Sequence, residues 1–130
     1  MNIKFTLTKT NKAKSIQHFF KKVFTKSGGA KEGAIVSALS FKLAKLIDGK
    51  NVIGIEGTIN NRIVAYIFLT TLVFKEDYLV YLLAPVAVDN KIQKKGVGNK
   101  IIKFGIKYLK QHKVDYRPEI IVWCIHNICV

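Results

Sequence analysis

Apolar residues alternate with polar ones at the start of the chain, where Ile3, Phe5 and Leu7 fall two apart. A period of two is that of a strand with one buried face. The period then lengthens. Ile16, Phe19, Phe20, Val23 and Phe24 recur at helical spacing, so they line one face of a helix that Thr10 or Asn11 can cap. Ser27-Gly28-Gly29 breaks that helix. A second amphipathic helix is expected next, with Ile35, Leu39, Leu43, Leu46 and Ile47 inward, ending near Asp48-Gly49. Residues 52–59 read as a strand, Asn60-Asn61 as a hairpin turn, and residues 63–74 as a long returning strand. Lys75-Glu76-Asp77 turns the chain again. Residues 78–88 are apolar on both faces, which predicts a central strand. Val97, Ile101, Phe104, Tyr108 and Leu109 give the inner stripe of a third helix, and residues 120–123 a last strand.

The predicted order is strand, helix, helix, three strands, helix, strand. Short turns make the three middle strands an antiparallel meander. A helical crossover makes the last strand parallel to its predecessor. The fold class is α/β (α+β) with a mixed sheet, in a single domain over residues 1–130. No repeat, linker or low-complexity segment interrupts it.

Composition adjusts this picture little. Hydrophobic residues make up 49% of the chain, enough for a core, and no stretch approaches the roughly 20 apolar residues of a membrane helix. The N-terminus lacks the continuous apolar centre of a signal peptide. Cys124 and Cys129 are too few for a disulfide framework and suit a reducing compartment. A bacterial cytoplasmic location is expected, with no membrane partner. The net charge of +14 invites a nucleic-acid role. Yet the cations are almost all lysines, with only Arg62 and Arg117 as arginines, and they are scattered along the chain. Arginine is the usual reader of guanine edges. Anionic partners are favoured, but no specific nucleic acid.

The most informative segment runs from Leu82 to Gly98. An apolar strand through Ala84-Pro85-Val86-Ala87-Val88-Asp89 gives way to a polar turn and then to Gln93-Lys94-Lys95-Gly96-Val97-Gly98 at a helix start. Unpaired N–H groups and the positive dipole end gather there, and glycines let an anion approach the main chain. A dinucleotide fingerprint needs Gly-x-Gly-x-x-Gly, and a P-loop needs Gly-Lys-Ser/Thr; neither is present.

Gln93-x-x-Gly96-x-Gly98 after a strand ending Val86-Ala87-Val88 resembles the acetyl-CoA pyrophosphate loop of the GNAT superfamily of N-acetyltransferases. The spelling of residues 84–89 is similar to the bacterial YhbS-type predicted acetyltransferases. The resemblance implies acetyl-CoA as cofactor, lying in a gap where the fourth and fifth strands splay apart. It implies that backbone groups of Val86, Ala87 and Val88 hold the pantetheine arm. It places the pyrophosphate on the N–H groups of Gln93, Lys94, Lys95, Gly96, Val97 and Gly98, with Asn99 in reach. Pro85 has no N–H and suits a bulge, which would leave the Val86 N–H to polarise the thioester carbonyl. The resemblance implies a small-molecule or peptide amine as acceptor.

General base and acid stay unassigned. Some family members carry a glutamate on the fourth strand, where this chain has Leu82. Glu56, Glu76, Asp77 and Asp89 read as solvated turn or strand-edge charges. The resemblance implies a domain truncated at the C-terminus, lacking the usual helix and strands after the fifth strand and hence the tyrosine acid. The last strand's edge is then exposed and offers a homodimer contact. Cys124, His126 and Cys129 fall short of the four ligands of a structural zinc site, and no metal is expected. Two alternatives remain open: a shortened or inactive GNAT domain that only binds coenzyme A, and a small basic nucleic-acid-binding protein.

Overall fold

The alternation at the start of the chain becomes β1 (Lys4–Leu7) in a computed structural model that describes residues 2–73, 79–112, 121–123 and 128–129. It is followed by α1 (Ala13–Gly28), α2 (Ala30–Lys45), β2 (Val52–Ile59), β3 (Arg62–Val73) and β4 (Leu79–Val88). A 3-10 turn (Asn90–Ile92) leads into α3 (Val97–His112), and then come β5 (Ile121–Trp123) and β6 (Ile128–Cys129). The Lys75-Glu76-Asp77 turn, Glu76 and Asp77 included, lies outside the described residues, as do Cys124 and His126.

The sheet order is β1-β2-β3-β4-β5. Its first four strands are antiparallel, and β5 runs parallel to β4, with Val80, Tyr81 and Leu82 opposite Ile121, Val122 and Trp123. The expected mixed sheet is therefore present. Asn60 and Asn61 both take positive φ (50° and 65°). A two-residue hairpin needs this to match the strand twist, and asparagine tolerates it.

One face of the sheet packs on α1. Ile16, Phe19, Phe20, Val23 and Phe24 are all buried there, against Tyr66, Phe68 and Ala87. The Phe20 ring lies 5.7 Å from that of Phe68 and 5.9 Å from that of Tyr66. Full burial of each such side chain stabilises by about 1.5–3 kcal/mol. The other face packs on α3, where Val97, Ile101 and Leu109 cover Ile55, Ile67, Leu69, Leu83 and Val86. Among the described residues no helix is long and apolar enough to cross a membrane.

The expected inner face of α2 is corrected. Ile35 (62% exposed), Leu39 (41%) and Leu46 (61%) point outward, and Gly33, Val36, Ser37 and Ser40 are buried instead. Leu43 and Ile47 are half-buried. The cause is the single residue, Gly29 at φ 94°, between the two helices. It folds α2 tightly back on α1. A Cβ at Gly33 would collide with the Thr25 side chain and lie 3.0 Å from its Cα. Only small side chains fit that seam, so the larger ones take the outer face.

The end of the sheet also departs from expectation. β6 pairs parallel with β4, Val86 opposite Ile128 and Ala87 opposite Cys129. An unpaired strand edge offers N–H and C=O groups to any chain that can reach it, and β6 takes them beyond the β5 pairing.

Candidate functional site

The ladder between β3 and β4 is regular from Val73–Leu79 to Leu69–Leu83, and it resumes at Ile67–Val86. Ala84 and Pro85 thus both face Phe68, which is a β-bulge. Proline's missing N–H makes this the natural place for the interruption. Beyond it, the Asp89 N–H donates to the Val64 carbonyl of β3 at 2.8 Å. Backbone groups of successive strand residues point to opposite sides. Those of Val86 and Val88 therefore point away from β3, along the outer edge of β4. The Val88 carbonyl there accepts from Gln93 Nε2 at 2.9 Å.

That bond folds the loop back on the strand. Asp89 shapes its first turn, accepting from the Lys91 N–H at 3.0 Å through Oδ1 while the backbone bond Ile92 N–H to Asp89 carbonyl closes at 2.9 Å. Lys94 (φ 65°) and Gly96 (φ 82°) turn the chain into α3. Lys100 makes the first helical bond, to the Gly96 carbonyl at 3.1 Å. The N–H groups of residues 94–99 find no backbone or side-chain acceptor among the described residues. Lys94, Lys95, Gly96 and Asn99 are exposed, Gln93 is half-buried, and Val97 and Gly98 are buried beneath them. Residues 93–99 and Val88 are thus gathered into one cationic turn. Val86 and Ala87 lie further back on β4, where the expected gap is bridged by β6.

The carboxylates differ from expectation. Glu56 is not the solvated charge that its sequence position suggests: it is buried, because β2 contributes to the core on both faces of the sheet. Its Oε2 meets Lys12 Nζ at 2.8 Å and its Oε1 accepts from Thr8 Oγ1 at 2.9 Å. Thr8 also hydrogen-bonds the Tyr66 hydroxyl at 2.8 Å. Burial pushes the Tyr66 phenol well above its ordinary pKa, the Thr8 bond opposes this, and Glu56 adds to it. Asp89 is buried too, 3.7 Å from Lys22 Nζ. Asp48 caps the turn into β2, accepting from Lys50, Asn51 and Val52 N–H groups, and these bonds hold its carboxyl below the usual range. Glu56 lies in register with Tyr66, and Tyr66 with Ala87. It is therefore two strands, about 10 Å, from β4. Leu82, where the resemblance would set a glutamate, pairs with Thr70 and Trp123.

An open mixed sheet with two helices on one face, one on the other, and a glycine-containing turn after a bulged fourth strand is the fold of solved acetyltransferases of the GNAT type. The chain superposes on a possible acetyltransferase from Clostridium difficile 630 with a TM-score of 0.69 at 17% identity, covering 95% of this chain and 79% of that one. It superposes on the aminoglycoside acetyltransferase meta-AAC0020 from an uncultured soil metagenomic sample with a TM-score of 0.69 at 21% identity, covering 95% and 77%. A GNAT family acetyltransferase from Brucella melitensis, in complex with acetyl-CoA, gives 0.63 at 23% identity, covering 85% and 70%. No protein-family model and no curated protein matches the chain.

Proposed function

We propose that this chain is an N-acetyltransferase, of the YhbS type, that moves an acetyl group from acetyl-CoA to a primary amine. The observation that carries the reading is the row of N–H groups over residues 94–99 that meet no acceptor among the described residues, at a helix start beside the outward backbone of Val88. Such a row is a site for phosphate oxygens. The solved relative that holds acetyl-CoA supports the cofactor, and those that act on aminoglycosides support a small amine acceptor.

Acetyl-CoA would supply the thioester carbon that the neutral amine attacks; the C–N bond forms as the C–S bond breaks, and the proton the amine nitrogen sheds ends on the sulfur of the departing coenzyme A. The chain's own contribution is positional. Gln93, Lys94, Lys95, Gly96, Val97 and Gly98 present backbone N–H groups to the pyrophosphate, with Asn99 in the first turn of α3. Val86 points its N–H at the thioester oxygen, worth about 3 kcal/mol in comparable oxyanion holes. For that, Ile128 and Cys129 must leave the edge of β4. A second reading, a domain that binds coenzyme A without turnover, is favoured by one observation: Glu56, Asp48 and Asp89 are all engaged elsewhere, and Leu82 cannot take a proton.

Isothermal titration with acetyl-CoA tests binding. One site is expected, abolished by Gly96→Asp, which sets a carboxylate where phosphate lies. No heat and no thermal shift at millimolar acetyl-CoA refutes both readings. Thiol release with simple amines then separates them.

A further inference from the structure

Beside the proposed acetyl-CoA turn, on the α1 side of the sheet, a groove of about 630 Å³ opens between the first half of α1 and the β2–β3 hairpin. Its walls carry Lys12, Lys14, His18, Lys22 and Arg62, and no carboxylate. Lys14, His18 and Lys22 stand four residues apart on α1, so they follow one line at about 6 Å intervals. Arg62 faces them from the first residue of β3. Lys12 is committed to Glu56, and Lys22 lies 3.7 Å from Asp89. Lys14 and Arg62 have no carboxylate within ion-pair distance among the described residues. Like charges converging on one concavity repel, and an anion carrying at least two charges relieves that repulsion.

We propose that this groove binds a phosphate ester of about nucleotide size. Arginine's fork and the lysine point charges suit phosphate oxygens. The lining also includes the apolar Phe19 and Ile63, which suit an organic moiety attached to the phosphates. The volume falls in the roughly 300–1,000 Å³ range of small-molecule sites. A concave site with apolar lining favours a small ester over a nucleic-acid duplex. The groove belongs to the α1 side of the sheet, whereas α3 packs on the other face.

Titrations with ATP, inorganic phosphate and a 20-nucleotide oligo-dT as probes test this on wild type, on Lys14→Ser/Arg62→Ser and on Gly96→Asp. Both replaced cations are exposed, and circular dichroism checks that the variants fold. ATP is expected to bind wild type and Gly96→Asp alike, and at least tenfold more weakly to Lys14→Ser/Arg62→Ser. Inorganic phosphate is expected to compete with ATP, and acetyl-CoA to bind that double variant as it binds wild type. The proposal is overturned if wild type does not bind ATP, or if the double variant binds it undiminished. It is overturned equally if Gly96→Asp alone removes ATP binding, which would assign the probe to the acetyl-CoA turn. Oligo-dT binding at physiological salt more tightly than ATP would make the surface a nucleic-acid contact instead.

Discussion

Replacing Lys12 by methionine should damage this protein far more than replacing a typical lysine. The Lys12 ammonium sits 2.8 Å from Glu56 Oε2; the Glu56 side chain is 5% exposed and that of Lys12 40%. Without Lys12 the carboxylate keeps, among the described residues, only the Thr8 hydroxyl. Removing one partner of a fully buried ion pair costs about 3–5 kcal/mol, while exposed pairs contribute about 0–1 kcal/mol. Lys12 is more than a third exposed, so water screens the pair and the expectation falls to about 2 kcal/mol. At roughly 4 °C per kcal/mol for a chain of this size, the melting temperature falls by roughly 8 °C. Glu56→Gln should cost less, about 1 kcal/mol, because the freed ammonium turns to solvent while the amide still accepts from Thr8. Lys14→Met is the control: it removes one charge from a chain of net +14 without breaking an ion pair among the described residues, and should be neutral or slightly stabilising. Urea unfolding of the three variants measures the differences. Lys12→Met within about 0.5 kcal/mol of wild type, the size of an ordinary surface change, or Glu56→Gln costing more than Lys12→Met, would refute the reasoning.

Tyr66 sets an alkaline limit. Its phenol is held protonated, so its contribution is intact below the ordinary tyrosine pKa of about 10 and is lost as pH rises beyond it; wild type should lose more stability than Tyr66→Phe between about pH 9 and 11 in chemical denaturation. Gly33→Val forces a branched side chain into Thr25 at the α1–α2 seam and should cost about 1–3 kcal/mol, read as a lowered urea midpoint. Ending the chain after Asn127 frees the β4 edge at Val86 and Ala87, so acetyl-CoA should bind several-fold more tightly; unchanged affinity would show that β6 and the cofactor do not compete. Sedimentation should show self-association through the sheet edge at β5, where a strictly monomeric species would count against it.

The strands and helices of this fold were legible because each carries its own period. Phe19, Phe20, Val23 and Phe24 announce α1, and the buried run before Asp89 announces β4. What stayed hidden depends on contacts distant in sequence. Nothing local distinguishes the stripe of Ile35, Leu39 and Leu46 from that of Gly33, Ser37 and Ser40; the choice is made by the tight reversal at Gly29. Glu56 looks solvated until Lys12, 44 residues away, is placed beside it. The turn at residues 93–98 was readable because glycine spacing and a helix start are local features. The β6 pairing was not, because two residues carry no period.

The bulge at Ala84–Pro85 also bears on how the length of this chain can drift through insertion and deletion. Leu83 and Val86 both belong to the core against α3 although they are three residues apart, an odd spacing that keeps one face only across an extra residue. Losing Ala84 would bring that spacing to two. Leu83 would still oppose Leu69, Val86 would still oppose Ile67, and no core side chain would change sides. Losing Leu82 instead would turn Tyr81, now buried, to the opposite face. Position 84 is therefore where a lineage can shed a residue and keep the fold while losing the bulge beside Val86 on which the proposed chemistry depends, so at this point inheritance of the architecture and inheritance of that chemistry can come apart.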